Sequence, residues 1–206
     1  MQVTHFLGNL AQLNAVYGEA NERSLLKEIN YISEDYLRFI EASPFVVLAS
    51  VGDEGMDCSP KGDPAGFVHV LDQKTLVIPD RPGNNRIDNL RNIIVDPRVA
   101  LLFLIPGNGE TLRVNGRAKI SIDSALLGRF EIQGKLPRSV IVVEVDAVYF
   151  HCSKAVVRSK LWDATAHTDK PAVPTAGTIM SNLTKGQFDG QRYDQDAPER
   201  IKNTLY

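Results

Sequence analysis

Between residues 45 and 152 the chain consists mainly of short apolar segments separated by turn residues. Gly, Pro, Asn and Asp bound these segments, which is the pattern of β-strands joined by tight turns. In the longest segment, strict alternation puts Val148 on the same face as Glu144 and Asp146. The pattern predicts a mainly β fold, a β-barrel of about six strands with helical insertions. The segments are 45–51, 56–60, 67–71, 75–79, 98–105, 111–120 and 139–152.

Helical periodicity is confined to a few segments outside the predicted strands. Ser33 is suited to start a helix, because its hydroxyl can accept a hydrogen bond from a backbone N–H of the first turn. The stretch 163–178 is rich in Ala, Thr and Pro without periodicity, which predicts a linker or surface arm. Helices are predicted over 25–42, 85–95, 124–133 and 194–206.

Composition indicates a soluble globular protein, since 43% of the 206 residues are hydrophobic and 23% are charged. A net charge of −2 with scattered Lys and Arg argues against nucleic-acid or membrane partners. Residues 1–18 show no secretory leader, and the longest apolar run, 99–105, is far shorter than the roughly 20 residues of a membrane span. We therefore expect a cytoplasmic protein with a barrel domain, including an N-terminal helix, over 1–162. A C-terminal arm over 163–206 is expected to pack on the barrel or on a dimer surface.

The segment 78–86, Ile-Pro-Asp-Arg-Pro-Gly-Asn-Asn-Arg, is a candidate anion site. A strand ends there and a helix is predicted to begin near Asn85, so the first N–H groups of the helix have no backbone acceptor. Arg81 and Arg86 flank this helix start, where cations are unfavourable unless an anion lies close by. A capped turn with two solvated arginines explains the same residues, so both interpretations stay open.

The segment 59–63, Ser-Pro-Lys-Gly-Asp, is a second candidate. The hydroxyl of Ser59 and the ammonium of Lys61 are two residues apart on a predicted strand. They therefore face the same side and could share one phosphate. An ordinary Pro-Gly turn explains the segment equally well.

Two further groups of polar residues lie near the end of the predicted barrel. Arg113 and Arg117 share one strand face, which either meets solvent or lines a ligand site. Trp162, the only tryptophan, follows Lys160 and other cations, and it either covers a flat aromatic ligand or plugs the edge of the core.

Several common kinds of site are not indicated. The four histidines and two cysteines lack the spacing of a metal site, so none is predicted. Two cysteines also exclude a disulfide framework. No hydrolase, P-loop or Rossmann motif occurs in the sequence, and no catalytic residue can be assigned.

Six stretches, taken in order, resemble the pyridoxamine 5′-phosphate oxidase-like FMN-binding split-barrel flavoproteins, above all the bacterial members with the same tail motif. The resemblance covers about residues 25–162. The stretches are S-P-F-V-V-L-A-S at 43–50, S-P-K-G-D at 59–63, L-V-I-P-D-R-P-G-N-N-R-I-D-N-L at 76–90, D-P-R-V-A-L-L-F-L-I-P-G at 96–107, L-R-V-N-G-R-A at 112–118 and H-C-S-K-A-V-V-R-S-K-L-W at 151–162.

The resemblance implies a six-stranded split barrel and a homodimer that binds FMN in a cleft between its subunits. Ser59, Lys61 and Arg86 fall where the family grips the phosphate of the cofactor, and Asn85 lies beside them. The cofactor implied is therefore FMN.

The resemblance also implies which residues lie along the flavin ring. Pro79 and Asp80 fall where the backbone of a strand runs beside the ring. Arg113 falls where the family often places a polar side chain against the pyrimidine edge. Lys160 and Trp162 fall where the tail reaches the cofactor, from the other subunit.

The chain also departs from the archetypal enzymes of the family. These carry an R-x-H-D-R-like segment after the tail tryptophan, whereas residues 163–167 here read Asp-Ala-Thr-Ala-His. Their R-x-V-L-L-K-like strand is replaced by Cys-Ser-Pro-Lys at 58–61. Vitamin B6 oxidation is therefore not expected. The implied function is an FMN-dependent oxidoreductase that acts on an unidentified small molecule, with a nicotinamide as electron donor. The alternatives are a flavin-binding or sensing protein without turnover, and a relative that binds the deazaflavin F420 or haem.

Overall fold

The computed structural model describes residues 4–167 and 173–206, and its centre is one antiparallel seven-stranded sheet. Each segment predicted to be extended contains a strand, so the mainly β fold is confirmed. The order across the sheet is β2-β1-β5-β6-β7-β4-β3. The strands are β1 (Phe45–Gly52), β2 (Gly55–Gly62), β3 (His69–Asp72), β4 (Thr75–Asp80), β5 (Arg98–Leu104), β6 (Thr111–Ser121) and β7 (Ser139–His151).

The sheet has one strand more than the six implied by the resemblance. The short β3 forms a hairpin with β4, in which His69 pairs with Val77 and Asp72 pairs with Thr75. This hairpin places β3 at one edge of the sheet, whereas β2 forms the other edge. No backbone pairing among the described residues therefore joins β2 to the β3–β4 hairpin, and the sheet is not closed into a continuous barrel there.

The main core lies on one face of the sheet, and a smaller cluster of Val77, Val140 and Phe130 covers the other face at β4 and β7. Burial alternates strictly along β1, β5 and most of β6, as expected for strands with one covered face. The largest fully buried side chains include Ile40, Leu48, Leu76, Leu101 and Phe103.

The strand β7 departs from strict alternation at one position. Asn115 pairs with Ala147, but the next residue, Gly116, pairs with Val145, so Asp146 has no partner on β6. Because of this β-bulge, the residues after Asp146 face the opposite sides of the sheet from those that strict alternation predicts. Val148 is therefore buried with the core rather than lying on the face of Glu144, and the predicted grouping was wrong beyond Asp146.

The predicted helix over 25–42 is interrupted. Ser33 Oγ accepts the N–H of Tyr36 at 3.3 Å, so the predicted cap is confirmed. Before it, Ile29 pairs with Val148, and the N–H of Ile32 donates to the backbone of Gln73. Those backbone bonds to the sheet prevent helix continuity. The helices are α1 (Leu10–Tyr17), α2 (Glu22–Leu26), α3 (Glu34–Ala42), α4 (Asp88–Val95), α5 (Ser124–Gly128), α6 (Lys154–Ser159), α7 (Ala176–Leu183), α8 (Gly190–Gln195) and α9 (Ala197–Thr204), with a 3₁₀ turn at Ala164–Ala166.

The other predicted helices differ mainly in their ends. α4 begins three residues later than predicted, because Asn85 and Ile87 have left-handed backbone angles, with φ of 61° and 54°. α5 ends at Gly128 rather than at residue 133, and α8 and α9 divide the segment predicted as one helix over 194–206.

Two predicted segments include residues outside the described ranges. Residues 1–3 belong to the predicted barrel domain, and 168–172 belong to both the predicted linker and the predicted C-terminal arm. In the rest of the predicted linker, α7 begins at Ala176. Among the described residues no helix is both long and apolar enough to span a bilayer.

Candidate functional site

A cavity of about 670 Å³ lies between the edge strand β2, the end of β4 and the start of α4. We call it the groove. Its volume is within the range of about 300–1,000 Å³ that is typical of small-molecule and cofactor sites. Residues 57–62 of β2 (except Cys58), residues 79–90, Phe67 and Arg138 line it.

Two ion pairs connect the ends of β2 and β4 at the groove. Lys61 Nζ lies 2.9 Å from Asp80 Oδ1, and Arg81 Nε lies 2.7 Å from Asp63 Oδ2. The side chain of Asp63 is only 1% exposed, and that of Arg81 is 15% exposed. β2 and β4 share no backbone hydrogen bonds, so these side-chain ion pairs are what joins the two strands at the groove.

The start of α4 forms one end of the groove. Its N-cap residue, Ile87, has a left-handed conformation and offers no side-chain acceptor to the first turn. The backbone N–H groups at such a start attract anions, because they lack intrahelical partners and lie at the positive end of the helix dipole. The groove thus combines an uncapped helix start with basic side chains.

Arg86 and Arg138 lie on the two sides of the turn that precedes α4. Arg138 Nη1 donates to Asn85 Oδ1 at 3.1 Å. Arg86 Nε lies 2.8 Å from Asp88 Oδ2, but its side chain is 77% exposed, so this ion pair is weak. The sequence analysis missed Arg138, whose place follows from the pairing of the next residue, Ser139, with Asp80.

A buried polar contact fixes α4 against the sheet. Asn89, 5% exposed, donates from Nδ2 to Ser50 Oγ at 2.8 Å, and Asn92 Nδ2 donates to the same oxygen at 3.2 Å. Since Ser50 belongs to β1, both amides tie the helix to the strand next to β2. The position of the helix start in the groove is therefore set by the core.

Six of the nine sequence-predicted cofactor residues line this one groove. All but Pro79 already have side-chain partners there: Lys61 is paired with Asp80, and the hydroxyl of Ser59 donates to Asp57 Oδ2 at 2.8 Å. Asn85 and Arg86 have the partners described above. The six are Ser59, Lys61, Pro79, Asp80, Asn85 and Arg86.

The other three predicted residues lie away from the groove of their own chain. Arg113 Nη1 donates to the hydroxyl of Tyr149 at 2.9 Å, and Trp162 Nε1 donates to the backbone oxygen of Asn108 at 2.7 Å. Lys160 follows α6 in a left-handed conformation, with φ of 53°. Their assignment to the cofactor stays a prediction.

Arg113 and Tyr149 belong to a second polar cluster that includes His151. The rings of Tyr149 and His151 are 5.3 Å apart, and Nε2 of His151 is buried without a hydrogen-bond partner among the described residues. Burial lowers the pKa of His151, and the positive charges of Arg113 and Lys27 lower it further. These effects favour the neutral form of the His151 imidazole.

Comparison with known families shows which family the chain belongs to. Residues 32–152, more than half of the sequence, match the family model described as pyridoxamine 5′-phosphate oxidase. The chain belongs to this family. The matched residues contain the whole sheet and the groove, whereas Lys160, Trp162 and the helices α7 to α9 lie beyond them.

Solved structures that resemble part of the chain include three bacterial proteins. HupZ from Group A Streptococcus is 20% identical, with a TM-score of 0.45 over 57% of this chain and 91% of its own. A Lactobacillus delbrueckii protein, described provisionally as a pyridoxamine 5′-phosphate oxidase, is 21% identical, with a TM-score of 0.47 over 59% and 95%. General stress protein 26 from Bacillus anthracis is 17% identical, with a TM-score of 0.44 over 55% and 88%. No curated protein matches the chain. Because these likenesses are weak, membership of the family rests on the matched residues 32–152.

The lining of the groove carries a small excess of positive charge. It includes four cationic side chains and three carboxylates. Arg138 forms no ion pair with any described residue. No cluster of His, Cys, Asp and Glu within the described ranges is arranged to hold a metal ion.

Proposed function

We propose that this member of the pyridoxamine 5′-phosphate oxidase family binds FMN in the groove and acts as an FMN-dependent oxidoreductase on a small molecule. The observation that carries the proposal is that the uncapped start of α4, Lys61 and Arg138 meet at one cavity. A phosphate dianion needs several cationic or N–H donors within hydrogen-bond reach, and this combination supplies them.

The residues of the groove fit such a phosphate. Lys61 and Arg86 would neutralise its charge, Ser59 would donate a hydroxyl hydrogen bond, and the turn at Asn85 would present the N–H groups that begin α4. The Arg86 side chain is largely in solvent, so it could leave the Asp88 carboxylate and bind the phosphate instead. The backbone at Pro79 and Asp80 would run beside the flavin ring.

The proposal includes a homodimer with the cofactor between the subunits. Arg113, Lys160 and Trp162 do not line the groove of their own chain, so a second copy would have to supply them. Arg113, held by Tyr149, would place positive charge near the pyrimidine edge of the ring and favour the negatively charged reduced form.

When bound, FMN supplies the transfer of a hydride or electrons between a nicotinamide donor and the substrate. The protein contributes binding, orientation and charge. None of the groove residues needs to act as an acid or base for this, which agrees with the lack of an assigned catalytic residue.

The test is the visible absorption spectrum of the purified protein, followed by release of the cofactor and its identification by chromatography. We expect the two bands of oxidised flavin, released FMN and a dimer in gel filtration. Oxidation of NADH or NADPH by the loaded protein separates an oxidoreductase from a flavin-binding protein without turnover. A spectrum of haem or F420, or a colourless protein that does not bind added FMN, would overturn the proposal.

A further inference from the structure

Tyr206 contacts the wall of the groove from the far end of the chain. Its hydroxyl donates to Asp63 Oδ1 at 2.7 Å, and the guanidinium of Arg81 lies 5.5 Å from the centre of its ring. Asp63 and Tyr206 are 143 residues apart in sequence. Tyr206 also lies outside the residues 32–152 that the family model matches.

Arg81 is held from three sides. Its Nε donates to Asp63 Oδ2 at 2.7 Å, its Nη1 donates to the backbone oxygen of Phe130 at 2.7 Å, and its planar group faces the ring of Tyr206. Arg81 lines the groove next to the turn that begins α4. Its orientation therefore shapes the groove wall.

The carboxylate of Asp63 needs both of its side-chain donors. Its side chain is almost completely buried, and it receives Arg81 on one oxygen and Tyr206 on the other. A buried carboxylate that loses a donor is poorly compensated. Without the Tyr206 hydroxyl, Asp63 would keep Arg81 as its only side-chain donor, and its negative charge beside the groove would be less well compensated. The hydrogen bond to Asp63 raises the pKa of Tyr206, so the phenol keeps its proton and remains a donor.

Tyr206 also contacts the loop on the other side of Arg81. Lys135 Nζ donates to the backbone oxygen of Tyr206 at 2.6 Å. Lys135 lies between Phe130, which holds Arg81, and Arg138, which holds Asn85. Tyr206, which follows α9 in the sequence, thus contacts residues on both sides of Arg81.

We infer that Tyr206 is a positioning residue of the groove, which fixes Arg81 and makes the affinity for a phosphate-bearing ligand depend on this residue beyond the barrel. The inference rests on the proposed function, because FMN is the ligand considered. Tyr206 acts through Arg81 and Asp63, whose arrangement it stabilises.

The experiment compares the wild type with three variants. Tyr206→Phe removes the hydroxyl and keeps the ring over Arg81, whereas Tyr206→Leu removes both. Tyr193→Phe is the matched control: Tyr193 lies in α8, its ring contacts Arg200 at 3.9 Å and Phe188 at 5.3 Å, and it does not line the groove.

Three quantities are measured on the full chain. They are the Kd for FMN from flavin fluorescence, the Kd for inorganic phosphate from calorimetry, and hydrogen exchange of residues 80–86 in the ligand-free protein. We expect Tyr206→Phe to weaken FMN binding about threefold to tenfold and Tyr206→Leu to weaken it more, with faster exchange in 80–86 only. Tyr193→Phe should match the wild type in all three.

The outcomes separate this inference from the proposed function. If the wild type binds FMN and both Tyr206 variants bind it equally well, the inference is overturned and the proposed function stands. If the wild type binds no FMN, the proposed function fails. The inference then survives only if the Tyr206 variants weaken phosphate binding and speed exchange in 80–86, and unchanged values overturn it. If Tyr206→Leu does not fold, Tyr206→Phe alone decides, because it keeps the ring.

Discussion

Lys61 Nζ and Asp80 Oδ1 are 2.9 Å apart, although their strands are not neighbours in the sheet. β2 is an edge strand, and β4 lies near the opposite edge of the strand order. Both side chains are mostly buried, at 17% and 19% exposed, and both line the groove. The ammonium group of Lys61 therefore has two roles. It joins β2 to β4 through Asp80, and it is a cation of the candidate phosphate site.

Replacing Lys61 should affect both stability and binding. Lys61→Met leaves the carboxylate of Asp80 without its ion-pair partner in a partly buried position. We expect the free energy of unfolding to fall by about 1–3 kcal/mol, between the values typical of exposed and buried pairs. FMN binding should weaken at least tenfold. Urea denaturation and flavin fluorescence measure the two effects.

The double variant Lys61→Met/Asp80→Leu separates the two roles of Lys61. It removes both charges, so most of the lost stability should return, because no unpaired carboxylate remains. FMN binding should stay weak, because the cation is still missing. Recovery of FMN binding in the double variant would show that the groove does not need this ammonium group.

The bulge in β7 makes Gly116 essential for stability. A Cβ at this position would lie 2.2 Å from the backbone oxygen of Glu144 and 2.9 Å from Cγ1 of Val143. Gly116→Ala should therefore lower the free energy of unfolding by about 2–4 kcal/mol, since the backbones of β6 and β7 would have to separate. Gly128→Ala in α5 is the control: its Cβ would have no neighbour within 4 Å, so stability should stay equal or rise. Equal effects of the two substitutions would contradict this account.

Much of the fold could be predicted because the sequence marks it locally. Turn residues and apolar runs identified every strand, and Ser33 identified the start of α3. The inward faces of β7 could not be predicted beyond Asp146. The bulge depends on the close approach of Gly116 to Glu144, and a strand taken alone does not show that contact.

The site divides in the same way. The predicted groove residues belong to two short segments at strand ends, where local chemistry is visible in the sequence. The roles of Arg138 and Tyr206 could not be predicted from their local sequence. Arg138 lines the groove and Tyr206 contacts its wall through hydrogen bonds that span 53 and 143 residues of sequence. These contacts depend on the β4–β7 pairing and on the course of the chain after α9.

The position of α4 should depend on the hydrogen bonds at Ser50. Ser50→Ala removes the hydroxyl that accepts from Asn89 and Asn92, and leaves Asn89 only the backbone oxygen of Leu48 at 3.5 Å. We expect a cost of about 1–3 kcal/mol in the free energy of unfolding. In a double-mutant cycle with Asn89→Leu, the two losses should fall short of additivity by about 1 kcal/mol, because they remove the same interaction. Urea denaturation measures the cycle, and strictly additive losses would show that the two side chains do not stabilise each other.

Stability should decrease below neutral pH because of two histidines. Burial lowers the pKa of His69 and His151, and nearby cations, Arg129 for the first and Arg113 and Lys27 for the second, lower it further. In the unfolded chain a histidine titrates near pH 6.5. The unfolded state therefore takes up protons first as the pH falls, and the stability present above about pH 7 is lost towards pH 5.

The urea midpoint of the wild type should therefore decrease as the pH is lowered from about 7 to about 5. The decrease should be smaller for His69→Phe, which keeps a ring on Phe130, and for His151→Gln. The exposed His5→Gln variant serves as the control, with an expected pH slope equal to that of the wild type. An unchanged slope in the first two variants would assign the pH dependence to carboxylates instead.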